Sequence, residues 1–402
     1  MTPQPATLDA RQKRQVTLGY YLTFISLGVV TAALGPALPY LAAQTSTALA
    51  AVSVLFVSRA LGLILGALLS GRLYDRLPGH PILIAGLVLI TIAALLTPLP
   101  TALTLLIGVT FLSGVGQSIL NVGGNTLLIW LHGGSVAQWM NGLHFFYGLG
   151  SIFSPLLITW LITATGGLTR AFTAIAGIVI LPLFVLLRLP AITPQKEEDG
   201  GEAAPAAPKL VWLIALFFFC YAGSVQAFGG WIYTFARDMN IAGPQMAGVL
   251  TSSFWAIFTL GRLLSIPVSA RLRPQAILFG SLAGSLISVG LLLVWPRSAA
   301  IIWLGTILFG LSIAPLFAST MSFAGQRMHI SGRIGSLFNV GISLGFLVIP
   351  WLVGQFFESS GPPILFVIIL FTLLAGLAIL LLLLRSARRK NSSIFTPESE
   401  ML

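Results

Sequence analysis

The sequence predicts an all-α membrane protein of twelve transmembrane helices arranged as two pseudo-symmetric six-helix bundles. Three observations carry this. Of 402 residues, 56% are hydrophobic and only 8% charged, with a mean hydropathy of +0.97. Soluble domains carry roughly 25% charged residues, so this chain could not cover a water-exposed surface, and a bilayer is the solvent it fits. Apolar stretches recur at about 20 to 28 residues each, the length a helix needs to cross about 30 Å of hydrocarbon. One polar stretch then divides six of these spans from the other six.

In chain order the spans are 16–41, 48–72, 79–99, 101–128, 137–163 and 168–189, then 209–236, 244–270, 274–295, 299–324, 334–357 and 362–385. The first has a basic start (Arg11, Lys13, Arg14). Its apolar run is longer than a signal-peptide core, and eleven spans follow, so it is expected to be a retained helix. Unbroken apolar runs exclude a membrane barrel, whose segments alternate over about ten residues. Residues 190–208, PAITPQKEEDGGEAAPAAP, read as a flexible linker that holds four of the ten acids. The expected organisation is therefore an N-terminal bundle over 1–189, a cytoplasmic linker over 190–208, a C-terminal bundle over 209–385 and a cytoplasmic tail over 386–402.

The formal charge of +11 is explained by its placement. Of the 21 Lys and Arg, Arg170, Arg237 and Arg297 fall on one side of the membrane, and Arg59 and Arg262 lie inside spans. All the rest fall on the opposite side. This positive-inside pattern puts both termini in the cytoplasm and removes the reason to invoke nucleic acid. The single cysteine, Cys220, excludes an internal disulfide and a thiol-rich metal site. The expected partners are a small-molecule substrate and the lipid bilayer, with the chain acting as a monomer. No cofactor or metal is expected.

The two halves repeat weakly. Sliding the second span onto the eighth matches Leu61 with Leu260, Gly62 with Gly261, Ser70 with Ser269 and Arg72 with Arg271. Sliding the fifth onto the eleventh matches Gly150 with Gly345 and Pro155 with Pro350, and lays His144 over Asn339. Carriers use such repeats to build a site at the midplane.

Residues 71–80, GRLYDRLPGH, resemble the cytoplasmic loop motif of the major facilitator superfamily, Gly-x-x-x-Asp-Arg-x-Gly-Arg. Gly71, Asp75 and Arg76 match; Pro78 is inserted before Gly79, and His80 replaces a basic residue. The resemblance implies the major facilitator fold and a gating role for Gly71, Asp75 and Arg76, while the bland alternative is a charged turn between spans. NVGGNTLLIWL (121–131), LHFFYGLGSIFSPLL (143–157), FGGWIYTFA (228–236), FTLGRLLSIP (258–267) and IPWLVGQ (349–355) resemble the sodium-dependent glucose transporter branch of that superfamily, akin to fucose permease. That likeness implies a secondary carrier of a hexose or similar polyol, working by alternating access. The chain departs from these relatives in one respect: Asn121 stands where they commonly carry a carboxylate, and the seventh span reads Val225 and Gln226 where they tend to carry an acid.

None of the ten acids falls near the midplane on these spans. Carboxylate-driven coupling needs one there, so transport without proton coupling is expected; His144, or sodium held by carbonyls and amides, leaves coupling to protons or sodium open. Gln117, Asn121 and Asn125 recur every four residues along one face of the fourth span and offer the mixed donors and acceptors that sugar hydroxyls need. Such amides also tie helices together. His144 and Asn339 are candidates for facing positions across the two-fold axis. Gln226 and Trp231 lie in a Gly-rich segment where a flat ring could meet a sugar, and Trp255 is a similar case. Trp231 could equally belong to an interfacial aromatic belt. Arg59, about 16 Å into its span, must face a cavity or partner, because a bare Arg at that depth costs roughly 2.5 to 3.5 kcal/mol. With no acid at that level, its partner is backbone carbonyls, amides or an anionic substrate. Arg262 lies nearer the cytoplasm and is expected to anchor a gate.

Other function classes fit less well. All four lysines follow Gln, Pro or Arg, so no phosphate-binding Gly-Lys-Ser/Thr loop exists for a primary pump. No nucleophile triad or paired carboxylates mark an enzyme, and no extramembrane domain marks a receptor. Within the carrier class, the alternatives to a sugar are an organic anion or sugar acid, and multidrug export.

Overall fold

The computed structural model describes residues 8–133, 136–190, 192, 208–328 and 332–392. Twelve helices are long and apolar enough to cross a membrane: α1 Ala10–Gln44, α2 Leu49–Tyr74, α3 Gly79–Leu96, α4 Leu103–His132, α5 Gln138–Thr165, α6 Leu168–Leu186, α7 Pro208–Asp238, α8 Pro244–Arg271, α9 Pro274–Val294, α10 Ala299–Gly325, α11 Ile334–Ser360 and α12 Ile364–Arg385. Most of the expected linker and the tail beyond Ser392 lie outside the described residues.

Local chemistry sets several helix ends. Asp9 begins α1 with a capping box: its carboxylate accepts from the Gln12 N–H at 2.7 Å, and the Gln12 side chain accepts from the Asp9 N–H at 3.0 Å. This starts α1 six residues ahead of its apolar run. Pro244 and Pro274 occupy first-turn positions, where a missing N–H costs nothing. The tenth span, expected as one helix, is two: Ala299–Ile313 and Leu316–Gly325. Pro315, which lacks a backbone donor, stands at the break. Helix also continues to Ser392, past the expected end of the last span at 385.

The packing repeats between the halves. In the first bundle α1 packs on α4, α5 and α6, α2 on α4, and α3 on α4 and α6. In the second, α7 packs on α10, α11 and α12, α8 on α10, and α9 on α10 and α12. The bundles meet through α1 with α7, α2 with α11, and α5 with α8. The last two are the same contact made twice across a pseudo-two-fold axis.

An even number of spans puts both termini at one end of the molecule, here the terminal end; the other is the far end. The hydrogen bonds that join the bundles cluster in the far half. Tyr40 and Tyr233 share one between hydroxyls at 3.0 Å. Gln355 Nε2 donates to the Ala50 carbonyl at 2.9 Å and the Ser53 hydroxyl at 3.1 Å, Glu358 accepts from the Leu49 N–H at 3.0 Å, and Ser252 donates to the Ile152 carbonyl at 2.8 Å. Gly35 sits so close to Gly229 that an added Cβ would lie 2.8 Å from its carbonyl oxygen. Only glycine permits that approach.

The terminal end differs. Residues 266–273 of α8 and its exit are exposed without interruption, more than two helical turns. Since 3.6 residues complete a turn, this stretch is bare on every side, including the side towards the other bundle. In the matching part of α2, Ala67, Leu68, Leu69, Gly71, Arg72 and Leu73 are exposed, leaving only the face against α4 covered. The structure is sealed at the far end and open at the terminal end.

Candidate functional site

Helix α4 carries the amide triplet. Its back lies on α3, where Gly116 abuts Ile90 and Gly123 abuts Leu83. Asn121 lies roughly 140° and 160° around the helix from those two glycines, so it faces away from α3, on the side flanked by α1 and α2. It is exposed, and Asn125 half-buried. Asn125 Nδ2 donates to the Asn121 carbonyl at 2.7 Å and to Asn121 Oδ1 at 3.3 Å. The Asn121 amide nitrogen and the Asn125 amide oxygen remain as a donor and an acceptor on one face.

Gln117 is placed differently. It is 2% exposed, accepts from the Thr31 hydroxyl of α1 at 3.2 Å and donates to the Ser113 hydroxyl at 3.0 Å. It ties α4 to α1 inside the first bundle.

His144 of α5 meets the ring of Phe24 edge-on, with centroids 6.0 Å apart, and Phe24 lies against Gly124 of α4. Among the described residues its imidazole makes no hydrogen bond. Arg262 lies on α8, the helix that α5 meets across the bundle interface. The Arg262 guanidinium rests on its own helix, over the Phe258 ring at 4.6 Å. Asn339 is exposed on the side of α11 opposite Gly341, which packs on Ala215 of α7. That side meets α2 at the far end and is open at the terminal end. Asn121, Asn125, His144, Arg262 and Asn339 therefore form a lower layer nearer the open end.

An upper layer lies beneath the far-end seam. Arg59 is 4% exposed; its Nη1 donates to the Thr31 carbonyl at 3.1 Å, and its guanidinium lies 5.8 Å from the Phe56 ring. A backbone carbonyl is thus its protein partner. Phe56 packs against Gly230 of α7, and so does the amide of Gln226, itself 3% exposed. Trp255 lies against Gly229 and is 4% exposed, with its Nε1–H buried and unpartnered. Trp231, in contrast, belongs to the seam. It is fully buried between Phe56 and Phe357, and its Nε1 donates to the Pro350 carbonyl at 2.9 Å.

Gly71, Asp75 and Arg76 are exposed at the terminal end of α2, and nothing lies within 4 Å of a Cβ placed on Gly71. Among the described residues neither Asp75 nor Arg76 makes a side-chain hydrogen bond. Asp238 and Glu358 sit at the far ends of α7 and α11.

Sequence reasoning missed Thr31, Phe24 and Phe56 around the chamber, and Tyr40, Tyr233, Gln355 and Glu358 at the seam. Two signals were present, since Tyr233 lies in FGGWIYTFA and Gln355 ends IPWLVGQ. The other residues carry no spacing that sets them apart.

Two inverted-repeat-sized bundles around a polar gap, sealed at one end, define a membrane carrier. The model of the Major Facilitator Superfamily matches residues 20–342, and the chain belongs to that family. It is a multi-pass membrane protein and a secondary transporter of a small-molecule substrate. It is 27% identical over 372 residues to sodium-dependent glucose transporter 1A of Mus musculus, covering 83% of this chain and 88% of that one. It is 29% identical to sodium-dependent glucose transporter 1 of Xenopus laevis, covering 80% and 72%, and 25% identical to major facilitator superfamily domain-containing protein 4A of Homo sapiens, covering 87% and 88%. Among solved structures, a mutant of the nucleoside transporter NupG superposes with a TM-score of 0.73 at 14% identity, over 93% of this chain and 99% of that one. That likeness concerns the fold.

Proposed function

We propose that this carrier moves a hexose or related sugar by alternating access, as a monomer, with both termini and the open end facing the cytoplasm. The observation that carries this reading is the neutral, donor-and-acceptor face of Asn121 and Asn125 in a chamber open at one end. Sugar hydroxyls both donate and accept, and amides answer both needs without charge. The relatives named as glucose transporters support the substrate class, and the excess of Lys and Arg at the terminal end supports the orientation.

The same reading takes transport to be facilitative. Asp75, Asp238 and Glu358 sit at helix ends rather than in the chamber, whereas ion coupling in membranes normally uses a carboxylate at depth. The relatives are named sodium-dependent, which makes the test direct. Purified protein in liposomes should equilibrate a labelled hexose at the same rate under an imposed proton gradient, an imposed sodium gradient, or neither. Accumulation driven by either gradient would reject the facilitative reading; no uptake of any sugar would reject the substrate class.

A further inference from the structure

The upper layer of the chamber has a surplus of donors and a positive charge that no carboxylate among the described residues pairs with. Arg59 presents five N–H donors, of which one reaches the Thr31 carbonyl. At 4% exposure the side chain leaves the others little access to water. The Trp255 Nε1–H, equally buried, has no acceptor among the described residues. Gln226 adds an amide at 3% exposure. These groups converge on one place: Phe56 beneath Arg59, and Gln226, both reach Gly230, while Trp255 lies against Gly229. A buried polar group without a partner is costly, and a buried unpaired charge more so. A guanidinium with no carboxylate beside it and a buried indole N–H with no acceptor, from facing bundles, make the complement of an anionic ligand.

From this we infer that the upper layer binds a carboxylate carried by the substrate, with Arg59 gripping it and the Trp255 indole N–H donating to it. A guanidinium fork matches two carboxylate oxygens, and one negative charge cancels the one positive charge present. Arg59 abuts Gly114 of α4 through its backbone. Asn121 lies seven residues further along that helix, about 10 Å at 1.5 Å per residue. A six-carbon polyol chain with a terminal carboxylate bridges that distance, placing its hydroxyls at the Asn121 and Asn125 amides. The inference rests on the sugar-carrier reading and narrows it to a sugar acid.

The experiment is uptake of labelled D-gluconate and D-glucose, each alone, by wild-type protein in liposomes, with chloride and phosphate as competing anions. The expected result is gluconate uptake exceeding glucose uptake roughly tenfold at equal concentration, the scale of one charge-assisted hydrogen bond. Arg59→Gln should collapse that ratio towards one, and Trp255→Phe, which keeps the ring, should lower it several-fold. If Arg59→Gln does not fold, the Trp255→Phe ratio decides. Glucose carried without gluconate uptake or competition overturns the carboxylate site and leaves the sugar carrier standing. Chloride or phosphate binding that gluconate does not displace overturns it too, by assigning the charge to an inorganic ion. If neither sugar is carried, the sugar reading itself has failed.

Discussion

The carboxylate of Glu358, at the far end of α11, accepts a hydrogen bond from the backbone N–H of Leu49 at 3.0 Å, so one bundle caps the first turn of a helix in the other. Leu49 opens α2, whose own preceding residue, Ala48, has no side chain able to cap it. The negative charge also meets the positive end of the α2 dipole. This bond exists only while the far end is closed.

Glu358→Ala is therefore expected to favour the state open at the far end. Losing a cap of this kind costs about 1 kcal/mol, or roughly a fivefold change in population. Spin-label distances across the far end should show a larger open fraction in the variant. An unchanged distribution would mean that the cap does not bias the equilibrium.

Gly35→Leu should act through sterics at the same seam. The glycine Cα lies against the Gly229 and Gly230 backbone, which cannot retreat as a side chain could. The variant should fold, since the clash falls between bundles, yet fail to seal the far end and lose transport. Gly71→Ala, with open space around it, is the matched control for far-end closure.

Gln117→Ala and Asn121→Ala should separate cleanly. The first removes the tie to Thr31, whose hydroxyl keeps the Leu27 carbonyl at 2.8 Å, and takes the donor from Ser113, a loss of about 1 kcal/mol in stability. The second removes an exposed amide and should raise the KM for sugar with little effect on melting temperature. Thermal unfolding and uptake kinetics on both variants check this.

Trp231→Phe should lower stability by about 2–3 kcal/mol, since the Pro350 carbonyl loses its donor and the fully buried indole leaves space beside Gly354. Trp255→Phe should cost less than Trp231→Phe, because that indole N–H has no acceptor among the described residues to lose. Melting curves of the two variants test the contrast.

Helix number and boundaries were legible because hydrocarbon thickness imposes a length that apolar runs must meet, and the spans agree with the helices to within a few residues at most ends. The break at Pro315 was hidden inside a continuous apolar run. Among candidate site residues, a spacing of four groups Gln117 with Asn121 and Asn125, but each step advances about 40° around the helix. One such step separates Gln117, buried on Thr31 of α1, from the exposed Asn121, because α1 covers the helix at the level of Gln117. Arg59 was legible from its depth alone, whereas its acceptor, the Thr31 carbonyl, belongs to the backbone and carries no sequence signal. The seam residues Glu358 and Tyr40 were illegible for a similar reason, since their roles depend on which bundle faces they meet.

The most direct test is side-specific labelling of single cysteines placed at Asn121, Asn339 and Ser53, in a background where the buried native Cys220 is replaced. The account predicts that an impermeant maleimide reaches positions 121 and 339 from the cytoplasmic side and that position 53 stays protected. A cysteine at 121 or 339 that reacts from neither side, or that a lipid-dissolved quencher reaches instead, would contradict a wet chamber between the bundles.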